Sequence, residues 1–199
     1  MQQGIFAGRT AVRYPYGRYG YTRSGPTWHG GLDVVGLDDA TIRMPFYGGK
    51  TIRGTVTRAR RVQNKCDATW EWGWYVCVKL DAGQTPDAVN YLYFCHCERL
   101  LVRAGQRVQS GDALGIMGNT GNAAGGYKHC HLEVRAAATG TGLDPTAYAG
   151  VPNAVGEYGA AQTSVWDTDG PFTIAAATGA DKAALRALCE EKNLHVTAG

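Results

Sequence analysis

Many short apolar runs separated by glycine-rich turns make up this chain, and this pattern limits its fold more than any other feature. Glycine accounts for 28 of the 199 residues, and few stretches carry the apolar repeat of a helix. Segments of strand length are predicted at 32–35, 51–57, 70–80, 91–97, 102–108, 111–116 and 129–135. Such a succession of short strands predicts a mainly β domain built on an antiparallel sheet.

Composition and charge exclude several classes of protein. With 44% hydrophobic and 19% charged residues, the chain is neither disordered nor a coiled coil. No apolar run approaches the roughly 20 residues of a membrane helix, so we expect no membrane insertion. Residues 1–65 hold 11 basic and three acidic side chains, which suits an anionic polymer such as cell wall, or simply makes an arginine-rich solvated surface. No nucleic-acid motif accompanies them, and we expect no nucleic-acid partner.

The sequence divides into three parts. Residues 1–149 hold the predicted strands, and residues 150–170 read as a glycine-rich linker. Residues 171–199 predict a small strand–helix–strand tail, in which Thr178 and Asp181 open a helix with a capping-box-like start. About 30 residues cannot bury a core alone, so we expect this tail to dock elsewhere, for wall binding or self-association.

Four of the five histidines lie at spacings that a metal site could use. His129 and His131 are two apart in a predicted strand, so both rings point to one face of a sheet. His29 and Asp33 are four apart, and a straight strand would separate them by about 13 Å. Glycines 30 and 31 between them permit a sharp bend that brings both side chains to one centre. His96 lies within a predicted strand, where a buried structural histidine is the alternative.

Two histidines and one carboxylate, with a fourth position left for water, form the ligand set of a catalytic zinc ion. Such an ion lowers the pKa of bound water to about 7 and polarises a carbonyl group. Two further histidines nearby would transfer protons and stabilise an oxyanion.

These motifs resemble those of the lysostaphin-type (LytM-like) zinc endopeptidases, which cut the peptide part of bacterial peptidoglycan. The resemblance is carried by His29-x-x-x-Asp33 and His129-x-His131, in that order. A glycine-rich hairpin at 105–115 lies between them, and a closing Asp-Pro-x-x-Tyr follows at 144–148. It covers about residues 10–149 and implies an antiparallel β-sheet peptidase domain.

The resemblance also implies roles for individual residues. His29, Asp33 and His131 would be the zinc ligands, and His96 and His129 would be the catalytic histidines beside the bound water.

A tyrosine that steadies the oxyanion is a further implied feature. Tyr19 resembles it, and Tyr14, Tyr16 or Tyr21 could serve instead.

Cysteines next to the site histidines depart from the family pattern. Without a signal peptide we expect free thiols, and strand alternation predicts that Cys95, Cys97 and Cys130 face away from the metal. The alternatives are a cysteine ligand to zinc, or a disulfide from Cys130 to Cys95 or Cys97.

The sequence therefore predicts a zinc endopeptidase that hydrolyses peptide bonds in peptidoglycan. The absence of a signal peptide suits a phage endolysin, made in the cytoplasm and acting on the cell wall, although a trimmed secreted protein would look the same. The alternatives are an inactive peptidoglycan-binding or hydrolase-activating relative and a virion-associated protein with a wall-cutting domain. The hairpin at 105–115 also resembles that of lipoyl or biotinyl carriers, but it has no lysine for attachment.

Overall fold

A mainly antiparallel β architecture, as the sequence predicts, is present in the computed structural model, which describes residues 4–22 and 27–160. The strands of the described part are β1 (Thr10–Val12), β2 (Leu32–Gly36), β3 (Thr41–Arg43), β4 (Phe46–Tyr47), β5 (Lys50–Thr51), β6 (Arg53–Arg61), β7 (Trp74–Leu80), β8 (Tyr91–Cys95), β9 (Cys97–Leu100), β10 (Arg107–Gln109), β11 (Ala113–Met117), β12 (Cys130–Arg135) and β13 (Gly156–Tyr158). The helical elements are α1 (Thr146–Ala149) and the 3-10 turns Pro15–Gly17, Trp70–Trp72 and Gly121–Ala123.

One eight-stranded sheet organises the domain, in the order β10-β6-β7-β8-β12-β2-β1-β13. All of its neighbouring strands pair antiparallel. A three-stranded sheet, β3-β11-β9, and the β4-β5 hairpin complete the described strands. Strands β12 and β2 lie side by side in the large sheet, so residues on their shared face can meet.

Apolar side chains cover both faces of the large sheet. Leu32, Val34 and Leu132 belong to the main core on one face. A smaller cluster on the other face includes Tyr75, Tyr93 and Cys95. Central strands buried on both sides carry continuous apolar sequence, which explains the unbroken run at 76–78.

The prediction of one continuous strand over residues 70–80 is wrong for the first residues of that range. Trp70–Trp72 form a 3-10 turn, and the strand begins only at Trp74. Between them Gly73 has a φ of 62°, and a Cβ there would lie 2.4 Å from the backbone carbon of Thr120. Only glycine fits this close approach, so the chain turns there despite the alternating tryptophans.

The strand predicted at 91–97 is also interrupted. His96, with a φ of 64°, lies between β8 and β9 and is the one non-glycine residue with positive φ in the described ranges. Its backbone N–H donates to the Trp72 carbonyl at 2.9 Å instead of joining a regular ladder. The predicted strand at 102–108 likewise begins later, at Arg107, because a turn with Gly105 at φ 84° precedes it.

Part of the segment predicted as a linker, 150–170, belongs to the sheet. Strand β13 pairs with β1 through residues 156–158, and the Asn153 side-chain carbonyl accepts the Tyr19 N–H at 2.8 Å. Turn residues with one short strand carry too little apolar pattern to predict this pairing.

The tail predicted at 171–199 lies outside the described residues. Among the described residues, no helix has the length and apolar character to cross a membrane.

Candidate metal centre

Three side chains converge on one point at the centre of the large sheet. His29, Asp33 and His131 each offer a ligand atom, and these atoms lie within 4.8 Å of one another. His131 Nδ1 lies 3.0 Å from Asp33 Oδ1 and 3.1 Å from His29 Nε2, and His29 Nε2 lies 3.4 Å from the same carboxylate oxygen. The structure thus brings together the three residues that the sequence predicts as ligands.

The spacing of these donors matches a tetrahedral metal site. Donors held about 2.0–2.1 Å from one ion in tetrahedral geometry lie about 3.3 Å apart. The three observed separations bracket this value, and all three side chains are buried. The donor set therefore fits a divalent cation bound through two imidazoles and one carboxylate.

Strand register and a glycine pair position the ligands. Asp33 on β2 and His131 on β12 are register partners, so their side chains lie on the same sheet face. His29 reaches the same face across the bend at Gly30 and Gly31. A Cβ on Gly31 would lie 2.6 Å from His131 Cε1, so only glycine lets the chain pass this ring.

Hydrogen bonds fix which ring nitrogen faces the centre. His29 Nδ1 lies 2.8 Å from the Arg18 carbonyl, which can only accept, so Nδ1 carries the proton and Nε2 is free to ligate. In His131 the other ring nitrogen faces the centre. Its Nδ1 lies beside Asp33, while its Nε2 points away and lies 3.8 Å from Glu133 Oε2.

The electrostatics of the centre favour a positive charge. Burial raises the pKa of Asp33, but the hydrogen bond from His131 and the neighbouring rings of His29 and His129 outweigh it and hold this pKa well below its usual range. Burial lowers the pKa of His131, but Asp33 and Glu133 together raise it to about 9. In the metal-free protein a proton on His131 is stabilised where a cation would otherwise bind.

His96 and His129 lie beside the ligands. Their ring centroids are 4.8 Å apart, His96 is 5.9 Å from the His131 ring, and His129 Nε2 lies 3.6 Å from Asp33 Oδ1. His96 Nδ1 lies 2.8 Å from the Thr120 carbonyl and His129 Nδ1 lies 3.1 Å from the Tyr127 carbonyl. Both rings therefore donate through Nδ1 and keep the Nε2 lone pair.

Burial keeps both of these histidines neutral. Together with the charges of His131 and His129, it lowers the pKa of His96 to about 3. Burial also lowers the pKa of His129, against the opposing attraction of Asp33. At neutral pH the Nε2 atom of each ring is therefore unprotonated.

Tyr19 is held by the backbone near the centre. Its hydroxyl donates to the Gly142 carbonyl at 3.1 Å, and its ring packs edge-on against Trp28. Burial, with the charge of Asp144, raises its pKa. The Tyr19 hydroxyl is therefore uncharged, and its proton is already donated to the Gly142 carbonyl.

Two residues that lie at the centre were not among those that the sequence analysis predicts. Glu133 is buried, and its Oε1 accepts from Arg135 Nε at 2.8 Å while Oε2 faces His131. The Tyr127 ring stacks on His129 at 4.6 Å, and its buried hydroxyl has no hydrogen-bond partner among the described residues. Both lie two positions from the histidine pair, Glu133 on β12 and Tyr127 before that strand begins, so extending the period of two in both directions could have revealed them.

The cysteines behave as expected, with one exception. Cys97 and Cys130 belong to the main core on the face opposite the ligands. Cys95 is the register partner of His131 and therefore lies on the ligand face, contrary to the prediction, because the strand break at His96 shifts the alternation. It packs with Tyr75 and Tyr93 and is not among the clustered donors.

The thiols of the described residues are free, so the structure holds no disulfide among them. Cys66 is exposed, and four others are buried. We call Cys77, Cys95, Cys97 and Cys130 the buried thiols. Burial raises the pKa of each, to about 12 for Cys97.

Comparisons with known proteins agree with the sequence motifs. Residues 49–145 match the model of Peptidase family M23, which confirms the resemblance to lysostaphin-type peptidases. The match includes His96, His129 and His131 and begins after His29 and Asp33, which the structure adds to the same centre. No curated protein matches the chain.

Several solved structures are similar to this chain. The catalytic domain of the antimicrobial peptidase lysostaphin from Staphylococcus simulans is 19% identical, covers 66% of this chain and 86% of its own, and has a TM-score of 0.49. A mutant catalytic domain of the prophage-encoded M23 protein EnpA from Enterococcus faecalis is 21% identical, with 68% and 88% coverage and a TM-score of 0.47. A putative peptidase M23 from Pseudomonas aeruginosa is 24% identical, with 76% and 51% coverage and a TM-score of 0.47.

Proposed function

We propose that this chain, which carries a Peptidase family M23 domain at residues 49–145, is a zinc-dependent endopeptidase that hydrolyses peptide bonds in bacterial peptidoglycan. The observation that carries the proposal is the triangle of donor atoms from His29, Asp33 and His131, whose sides of 3.0–3.4 Å suit a tetrahedral ion. Two imidazoles with one carboxylate are a ligand set typical of catalytic zinc.

The three ligands leave one tetrahedral position for water or substrate. A bound zinc ion supplies a water of lowered pKa and polarises the carbonyl under attack. Within the protein, Asp33 contributes a negative charge at the centre, and the buried Glu133 carboxylate adds another, 3.8 Å behind the His131 ring, at Nε2.

His96 and His129 move protons in this mechanism. Each ring is anchored through Nδ1 to a backbone carbonyl and presents an unprotonated Nε2. Because both rings begin without a proton on Nε2, one of them accepts the proton that the attacking water loses, and that same proton is then donated to the leaving amine or stabilises the tetrahedral state. Their depressed pKa values keep them unprotonated before the reaction begins.

Tyr19 is the candidate for a further oxyanion donor. To act, its hydroxyl must exchange the Gly142 carbonyl for the substrate oxygen, so we propose that this contact breaks when substrate binds.

Peptidoglycan is the proposed substrate because M23 peptidases act on it and because the basic amino-terminal third suits an anionic wall. The complete donor set favours an active enzyme over an inactive wall-binding relative. Action on the cell wall follows from the same proposal, whereas release as a phage endolysin or presence in a virion stays a prediction.

Replacement of one ligand tests the proposal. We expect the purified His131→Ala protein to lose bound zinc, measured by elemental analysis, and to stop clearing a turbid suspension of cell walls. His195→Ala is the matched control, because the sequence assigns that histidine no role. Clearing by His131→Ala at the wild-type rate would refute the mechanism.

Two further experiments separate metal binding from hydrolysis: removal of the metal with a chelator, and replacement of His129. Removal of metal from the wild-type protein should abolish clearing, and added zinc should restore it. His129→Ala should retain zinc and lose hydrolysis, because His129 is placed beside the ligands and is not one of them. Full hydrolysis by His129→Ala would remove it from the mechanism.

A further inference from the structure

Exposed aromatic side chains are concentrated in the segment that leads to the ligand His29. Tyr14, Tyr16, Tyr21 and Trp28 expose 40%, 44%, 72% and 39% of their surface. The other large hydrophobic side chains exposed in the described ranges are aliphatic, Leu101 and Val155. We call the four exposed aromatic residues the aromatic platform. Exposed apolar groups gathered in one segment indicate a binding surface.

One part of the platform connects directly to the candidate catalytic histidines. The rings of Tyr14 and Tyr16 stack at 5.0 Å with an angle of 8°. Tyr14 also packs edge-on against Tyr127 at 5.1 Å, and Tyr127 stacks on His129 at 4.6 Å. A continuous series of ring contacts therefore leads from the surface to the centre.

The other part is attached to the ligand His29. Trp28 contacts the rings of Tyr19 and Tyr21, both edge-on, at 5.1 and 4.8 Å. Gly20 and His29 exchange two backbone hydrogen bonds of 3.0 Å. The position of this second cluster is thereby fixed relative to the metal ligands.

We propose that the aromatic platform binds sugar rings of the peptidoglycan glycan strand next to the scissile peptide. This inference rests on the proposed function, since the peptide stems that the enzyme would cut are attached to that strand. A pyranose ring has an apolar C–H face and a rim of hydroxyl groups. Tyrosine and tryptophan match it, because each combines a flat apolar face with a polar atom.

The position of the platform favours part of the substrate over a separate protein partner. Its ring and backbone contacts lead into the candidate active centre, where a stably bound protein would obstruct the substrate.

Direct binding is the first test. The probe is a peptide-free glycan oligosaccharide, obtained from cell walls by amidase digestion and titrated into the full-length protein by calorimetry. The combined Tyr14→Ala and Tyr16→Ala variant should weaken binding about tenfold, as expected for the loss of two ring contacts. Leu101→Ala, which removes a similarly exposed aliphatic side chain, should bind as the wild type does. Equal binding by all three proteins would overturn the proposal.

A ratio of rates is the second test, and it separates sugar binding from oxyanion stabilisation. Hydrolysis is measured on intact walls and on cross-linked stem peptides from which the glycan has been removed. Loss of sugar contacts should lower the ratio of the wall rate to the peptide rate about tenfold in the double variant. An oxyanion role for either tyrosine would lower both rates together and leave the ratio unchanged, which contradicts the proposal.

Tyr21→Ala provides a variant that should fold, because the Tyr21 ring is the most exposed of the four. It should weaken oligosaccharide binding with an unchanged melting temperature, and wild-type affinity in this folded variant would count against the platform. If the wild-type protein cuts neither substrate, the proposed function fails, while the calorimetric result still decides whether the platform binds sugar.

Discussion

A single methyl group on Gly31 should disrupt the metal centre. The Cβ of Gly31→Ala would lie 2.6 Å from His131 Cε1, 2.7 Å from His131 Nε2 and 2.5 Å from the Leu132 carbonyl oxygen. Carbon atoms in normal contact are about 3.5–4.0 Å apart, so the ring must move by about 1 Å. Metal–ligand distances tolerate only about 0.2 Å, so we expect zinc affinity to fall by tenfold or more.

The same clash should destabilise the metal-free protein. Overpacking of this kind costs about 1–3 kcal/mol, since the Leu132 carbonyl belongs to the sheet and cannot rotate away. Zinc affinity is measured by competition with a chromophoric chelator, and the free energy of unfolding by urea titration of the metal-free protein.

Gly30→Ala is the matched control for this experiment. Its Cβ would meet only Glu133 Oε1 at 3.2 Å and Cδ at 3.7 Å, and a carboxylate can shift by a few tenths of an ångström. Neither glycine has a positive φ, so alanine is compatible with both backbone conformations. Wild-type zinc affinity in Gly31→Ala, or an equal loss in both variants, would refute the steric reasoning.

Three further predictions concern residues at the centre and the thiols of the chain. Glu133→Gln should weaken zinc binding about tenfold, because it removes the buried negative charge 3.8 Å from His131 Nε2, and an unchanged dissociation constant would contradict this. Tyr127→Phe should raise the free energy of unfolding by about 1 kcal/mol in urea titration, because it removes a buried hydroxyl without a partner, and a decrease would indicate that the hydroxyl is bonded. In a Cys189→Ser background, a thiol reagent should react quickly with Cys66 alone, and the buried thiols should react only after denaturation; a second fast thiol would show that one of them is accessible.

The convergence of the three candidate ligands was predictable in part because it depends on local rules. The period of two places His129 and His131 on one strand face, and the absence of a side chain at Gly31 lets the chain between His29 and Asp33 pass the His131 ring. Extending the same period would have added Tyr127 and Glu133, at one step on either side of the histidine pair. Strand register, which pairs Asp33 with His131, depends on distant segments and needed the structure.

The interrupted strands show where local reasoning fails. His96 has strand neighbours on both sides, yet it adopts a φ of 64° and directs its Nδ1 to the Thr120 carbonyl. A non-glycine residue in this conformation is held there by its surroundings, often at functional sites. The tryptophans at 70–74 alternate as in a strand, but the turn at Gly73 is imposed by the approach of Thr120, 47 positions further along the chain.

The pairing of β13 with β1 has a practical consequence for anyone who trims this protein. A shortened version that stops at residue 149 would remove Gly156–Tyr158 and leave the backbone groups on the outer side of Thr10–Val12 without partners. A bare strand edge of this kind recruits strands from other molecules, and aggregation follows. Gene designs that keep only the domain with the candidate metal centre should therefore extend to about residue 160, where the edge remains covered.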